Sequence, residues 1–452
     1  MTAALLVCAC AAGGPPLEWR SWNLYEGAVS QELLQAQVDG LVRVRHDGRS
    51  LLDVGYSTIG LDDGWQACGP NGYHDETTGV PLVNLTRFPD MKAMTAYAAT
   101  RNVKMGFYGN NCMCHGKSDI GRYTQDAEAT VRFGFAATKV DSCGPETNIT
   151  AWREALDVAA TAHGVERIQL ENCRNYAYTQ HLTPDSVCTF DLFRSTEDNA
   201  PHFGSIMHNL MTNAQPPGAH GNVHGGLPVS HPGCWSYPDM LEVVGSGACR
   251  QDLKAGTCGH ASPTRPAGGL DLNESRAHFG AWCVVSSPLT LSHDLTDDEA
   301  YDRAWPVVGN VEAVRVNQAY AGDAGRLVAA GKLTADQELY HGAGCECVYS
   351  GTLPQWAVFA KRLDGSMAAN ANEAAAIAIN FSNDTLAAAT IAVPLDTLFK
   401  DADGSRGGRW HAVEADVWSG AKRDLGDSVT WQVPQLAARS SFFVTIKRHE
   451  EE

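Results

Sequence analysis

Lys139-Val140-Asp141-Ser142-Cys143 places a cation, a carboxylate and a thiol at alternate positions after an apolar run. Alternate positions of a β-strand share one face, so these three side chains are expected to point into one small site. A carboxylate kept ionised by a neighbouring cation can act as a nucleophile. Further polar residues, Asp62-Asp63, Tyr108, Glu171 and Arg194, end other apolar runs in the same way.

Other residue types argue against a metal or cofactor. His202, His208, His220, His224 and His231 are irregularly spaced, and Asp62-Asp63 lacks the organised set of further oxygen ligands that a divalent cation needs. Beyond the N-terminal segment, Cys-x-Cys occurs only at Cys112/Cys114 and Cys345/Cys347, without the compact CxxC pairs of a zinc site.

To bring these residues together the chain must form a parallel sheet with its strand ends on one side. Short β-like runs at Leu17–Trp22, Tyr56–Leu61, Lys104–Tyr108, Ala137–Asp141, Arg167–Glu171, Thr189–Arg194 and Val284–Leu291 alternate with helical patterns, among them Met91–Thr100 and Ala151–Ala162. That is the habit of a (β/α)8 TIM barrel, whose active site lies at the C-terminal ends of the strands. Pro201–Pro238 and Gly245–Gly269 read as long loops, the second tied by a Cys249–Cys258 bridge. After Arg326 only short apolar runs punctuated by turn residues remain, which predicts a C-terminal antiparallel β-sandwich domain. The expected division is an α/β barrel over 15–325 and the sandwich over 326–452, preceded at 1–14 by a truncated signal segment.

The 34 Lys and Arg stand against 52 Asp and Glu, a net charge of −18. This disfavours phosphate backbones and anionic lipid. A neutral sugar is a better partner, and no apolar run is long enough to span a membrane. Fourteen cysteines and five Asn-x-Ser/Thr sequons, at Asn84, Asn148, Asn273, Asn380 and Asn383, favour the secretory pathway, with a lysosomal, vacuolar or extracellular destination.

Seven blocks in order resemble glycoside hydrolase family 27, the α-galactosidases and α-N-acetylgalactosaminidases. They are Trp19-Arg20-Ser21-Trp22-Asn23, Ile59 to Trp65, Phe88-Pro89-Asp90-Met91-Lys92, Lys104 to Tyr108, Lys139 to Cys143, Pro232 to Leu241, and Val316-Asn317-Gln318. The resemblance implies a retaining exo-α-galactosidase that needs no cofactor, with Asp141 as nucleophile and Asp198, four residues after Arg194, as general acid and base. It implies substrate contacts from Trp22, Asp62, Asp63, Tyr108, Lys139, Cys143, Arg194 and Met240.

It further implies a bridge from Cys143 to Cys112 or Cys114, with Cys68 taking the other, and a Cys173–Cys188 pair. A homodimer is compatible with it. The family usually follows the cysteine at 173 with Glu-Trp, where this chain has Arg174-Asn175. The choice between galactose, N-acetylgalactosamine and another α-linked pyranose stays open, and a catalytically inactive sugar-binding relative is the rival from another class.

Overall fold

The computed structural model describes residues 13–69, 72–110, 112, 114, 121–142, 146–173, 182–183, 186–216, 225–244, 270–341, 347–363, 372–399 and 410–450. Eight strands, β1 (Leu17–Arg20), β2 (Thr58–Gly60), β3 (Lys104–Tyr108), β4 (Ala137–Asp141), β5 (Gln169–Cys173), β6 (Leu192–Arg194), β7 (Trp235–Tyr237) and β8 (Leu289–Leu291), form one sheet. All neighbours are parallel, in the order β7-β6-β5-β4-β3-β2-β1-β8. A parallel bridge from Leu241 to Leu291 joins the two edges. The Leu241 N–H donates to Thr290 O at 2.8 Å, which closes the (β/α)8 barrel.

Local signals start and stop the surrounding helices. Asp90 caps Met91–Ala99 by accepting from the Ala93 N–H at 2.9 Å, and Asn148 caps Ile149–His163 in the same way. Gly134 ends Tyr123–Phe133 at φ +86°, a conformation glycine adopts without strain. Helices cover the outer face of the sheet, so Trp19, Ile59, Phe107, Val140 and Leu170 are buried. Each such side chain stabilises the fold by roughly 1.5–3 kcal/mol.

Two expectations need correction. Pro201–Pro238 is not one long loop: it contains the helix Phe203–Asn213 and strand β7. Val284 ends the helix Leu272–Val284, and β8 starts only at Leu289. Residues 245–269, with Cys249 and Cys258, lie outside the described residues.

From Arg326 onward the strands are antiparallel. A six-stranded sheet runs in the order Lys422–Gly426, Trp410–Asp416, Ser441–Glu450, Glu373–Asn380, Trp356–Arg362, Arg326–Ala330. One face buries Val358, Ala376, Val444 and Ile446 under the two-stranded sheet of Ala392–Pro394 and Thr430–Gln432, with Trp431 between. The other face, through Ile377 and Phe443, joins the barrel core at Leu272–Val284.

The contact is close because Gly280 has no side chain: a Cβ there would meet Ile377 Cδ1 at 2.8 Å and Phe443 Cδ1 at 3.0 Å. Replacing Gly280 with valine should cost about 1–3 kcal/mol through overpacking. Urea denaturation measures it, and an unchanged midpoint would contradict this packing.

Candidate active site

The strand ends bring most of the expected residues together. Lys139, at 5% exposure, donates from Nζ to Asp62 Oδ2 at 2.8 Å. Its direct partner is thus Asp62 and not Asp141. Arg20 Nη1 lies 3.6 Å from the same Asp62 oxygen, and Arg20 Nη2 donates to Glu171 Oε2 at 2.9 Å and to Glu18 Oε1 at 3.4 Å. Burial opposes charge on all of them. For Asp62 the two cations outweigh it, and the carboxyl is held below its ordinary range. Burial likewise works against the Lys139 ammonium, but Asp62 leads a group of negative neighbours that hold it charged.

Asp141 ends β4 and is only partly buried. The Tyr108 hydroxyl donates to its Oδ2 at 3.1 Å, and the Ser142 N–H donates to Oδ1 at 2.7 Å. Asn110 fixes its backbone from both sides: the Asp141 N–H donates to Asn110 Oδ1 at 2.8 Å, and Asn110 Nδ2 donates to the Asp141 carbonyl at 2.7 Å. Burial first, then the charges of Asp141, Asp63 and Asp62, push the Tyr108 phenol well up, so it stays a donor. Asp63 accepts from the backbone N–H groups of Gly64 at 2.9 Å and Cys112 at 3.2 Å. Gly64 sits at φ +105°, where a Cβ would strike Gly27 Cα at 2.8 Å.

Asp198 belongs to a second charge group. Arg194 Nη2 donates to Asp198 Oδ1 at 3.0 Å, and Nη1 pairs with Asp239 Oδ1 at 2.9 Å. Arg194 is buried while the Asp198 side chain is 31% exposed, so this carboxylate reaches the opening. Asp239 holds φ +87°, a strained conformation for an aspartate, and its Oδ2 accepts from the Asn199 N–H at 2.6 Å. Trp22 is half-buried and packs on Leu192, Trp235, Tyr237 and Met240. The Asn23 amide donates to Glu242 Oε1 at 2.5 Å. Burial, then the Asp239 charge, raise the Glu242 acid far above its usual range.

Asn110, Arg20, Asp239 and Glu242 are the site residues that sequence reasoning missed as such. Arg20 alternates with Glu18 on β1, a polar spacing inside an apolar run that could have revealed it. Cys143 and residues 174–181 lie outside the described residues.

The cysteine pairing also differs in part. Cys68 bonds Cys114, and Cys112 is in a disulfide as well. Cys188 bonds Cys234, with Cα atoms 5.7 Å apart, and not Cys173. Cys173 is a free buried thiol directly opposite Asp141 in the sheet register, and Arg194 Nη1 approaches its sulfur at 3.8 Å. Strand β5 therefore turns it into the barrel, away from Cys188.

Residues 23–259 match the sequence profile of the family described as alpha galactosidase A. The chain belongs to that family. Among its relatives, the α-galactosidase of Cyamopsis tetragonoloba is 25% identical over 336 residues, 73% of this chain and 69% of the relative. The human α-N-acetylgalactosaminidase is 25% identical over 338 residues, covering 70% and 71%. In fold the chain matches α-galactosidase I of Mortierella vinacea with a TM-score of 0.66, 18% identity and 97% and 98% coverage. The Saccharomyces cerevisiae α-galactosidase matches with a TM-score of 0.68, 16% identity and 96% and 98% coverage. Family membership makes the chain a glycoside hydrolase.

Two predictions follow the charges and the thiols. Lys139→Met strands the Asp62 carboxylate with only the more distant Arg20 and should destabilise the fold by about 3 kcal/mol at pH 6. Folding lowers the Asp62 carboxyl from its ordinary 3.8, so this stability is present above that value and lost as the pH falls through the lower folded one. The gap between wild type and variant in urea denaturation should therefore shrink below about pH 4; a gap independent of pH would contradict the pairing. Peptide mapping without reduction should find Cys68–Cys114 and Cys188–Cys234 linked and Cys173 alkylated on denaturation.

Proposed function

We propose that this protein is a retaining exo-α-galactosidase. The observation that carries the reading is Asp141: a partly exposed carboxylate at a barrel strand end, both oxygens fixed by donors and its backbone clamped by Asn110. In this reading Asp141 attacks the anomeric carbon, Asp198 protonates the departing oxygen, and Asp198 then deprotonates the water that releases the sugar. Asp62 and Asp63 accept sugar hydroxyls, since a carboxylate offers about four lone-pair sites. Trp22 supplies an apolar face to the ring, and Arg194 binds the hydroxyl beside the anomeric carbon. Hydrolysis this way needs no cofactor.

Relatives bearing the two names at equal identity favour α-N-acetylgalactosaminidase as the second reading. An oxidising compartment is supported by the disulfides Cys68–Cys114 and Cys188–Cys234. Among the described residues no helix is long and apolar enough to cross a membrane. Of the sequons, Asn380 is excluded as a glycan site, because it is fully buried and its amide donates to Asp384 O at 2.7 Å and Ala437 O at 2.9 Å.

NMR of the hydrolysis of an aryl α-galactoside should show the α anomer of galactose first. A β first product would rule out retention, and faster turnover of the 2-acetamido analogue would select the second reading. Asp198→Asn should slow poor leaving groups by about 10²–10⁴-fold. An Asp198→Asn rate equal to wild type would remove it from the acid role.

A further inference from the structure

A second buried cluster lies outside this charge network, where the segment after β2, the helix Tyr123–Phe133 and the segment after β4 meet. His74, Asp126 and Glu146 are 4%, 1% and 0% exposed, and each turns one ligand atom inward so that the three lie within 4.8 Å of one another. His74 Nε2 is 2.8 Å from Asp126 Oδ1, and the Tyr73 hydroxyl donates to Asp126 Oδ2 at 3.4 Å. The Arg122 N–H donates to Glu146 Oε1, while Glu146 Oε2 is equally buried and meets no donor. Two carboxylates this close in a dry interior ionise together only if a cation joins them.

We propose that His74, Asp126 and Glu146 bind one divalent transition cation, zinc by preference. One imidazole and two carboxylates match the nitrogen and oxygen ligands of zinc, whereas calcium takes six to eight oxygens. The charges balance: two carboxylates and a neutral imidazole cancel the ion. The role is structural. Glu146 follows Asp141 by five residues, and His74 lies on the segment that begins with Asp62-Asp63, so the ion would fasten together the segments that carry these carboxylates. The Cys68–Cys114 bridge already ties that same segment to the one after β3, so this wall is cross-linked independently of the cluster.

The test uses the untagged full chain, stripped with EDTA and then given one equivalent of Zn²⁺, Mn²⁺ or Ca²⁺ before gel filtration. Elemental analysis should find about one zinc per chain, and zinc should raise the thermal midpoint by at least about 3 °C. Calcium should do neither. His74→Gln and Glu146→Gln should each lose the retained zinc and the shift. Less than about a tenth of an equivalent retained by the wild type, with no shift, would overturn the site and leave a proton-sharing triad. Zinc retained equally by both variants would overturn it too, by placing the ion elsewhere.

Discussion

The chain of alternating buried charges Glu171, Arg20, Asp62 and Lys139 is the constraint on which the site depends. Arg20 comes from β1, Asp62 follows β2, Lys139 lies on β4 and Glu171 on β5. Thr290 of β8 joins by donating to Glu18 Oε1 at 3.0 Å. Charges removed from water cost several kcal/mol each unless partners and geometry repay it. Such a network tolerates little displacement, so it fixes five strands relative to one another inside the barrel. Asp141 inherits its place from Lys139, two residues earlier on the same strand face.

The two halves of the opening differ in how they treat charge. Around Asp62 and Asp63 the acids are buried and held by cations and backbone donors. Around Arg194 one buried guanidinium divides itself between the buried Asp239 and the more exposed Asp198. The strained backbone of Asp239 and the buried Glu242 both lie behind this half, where the segment after β7 meets Asn23.

Much of this was legible in the sequence because it lies on strands. The alternation Lys139, Asp141 and the apolar runs of β3 and β4 have the period of a half-polar barrel strand, and their bounds match the observed ones. Strand β7 was missed because three residues, Trp235–Tyr237, among glycines and prolines give too short a pattern. Lys139 was expected to serve Asp141, but strand spacing says which face a residue takes and not which neighbouring strand supplies its partner. Asp62, across the sheet, has the shorter path. The Cys173–Cys188 expectation failed for a similar reason: Cys234 is remote in sequence and becomes a competitor for Cys188 only after β6 and β7 pair.

The central claim is that Asp141 becomes covalently attached to the sugar. An activated fluorinated α-galactosyl donor that forms a slowly hydrolysed glycosyl-enzyme tests it directly, with peptide mass spectrometry of the inactivated protein. The account predicts one added sugar per chain on the peptide carrying Asp141, and none in Asp141→Asn. A sugar attached to another carboxylate, or turnover of the donor by Asp141→Asn at the wild-type rate, would contradict it.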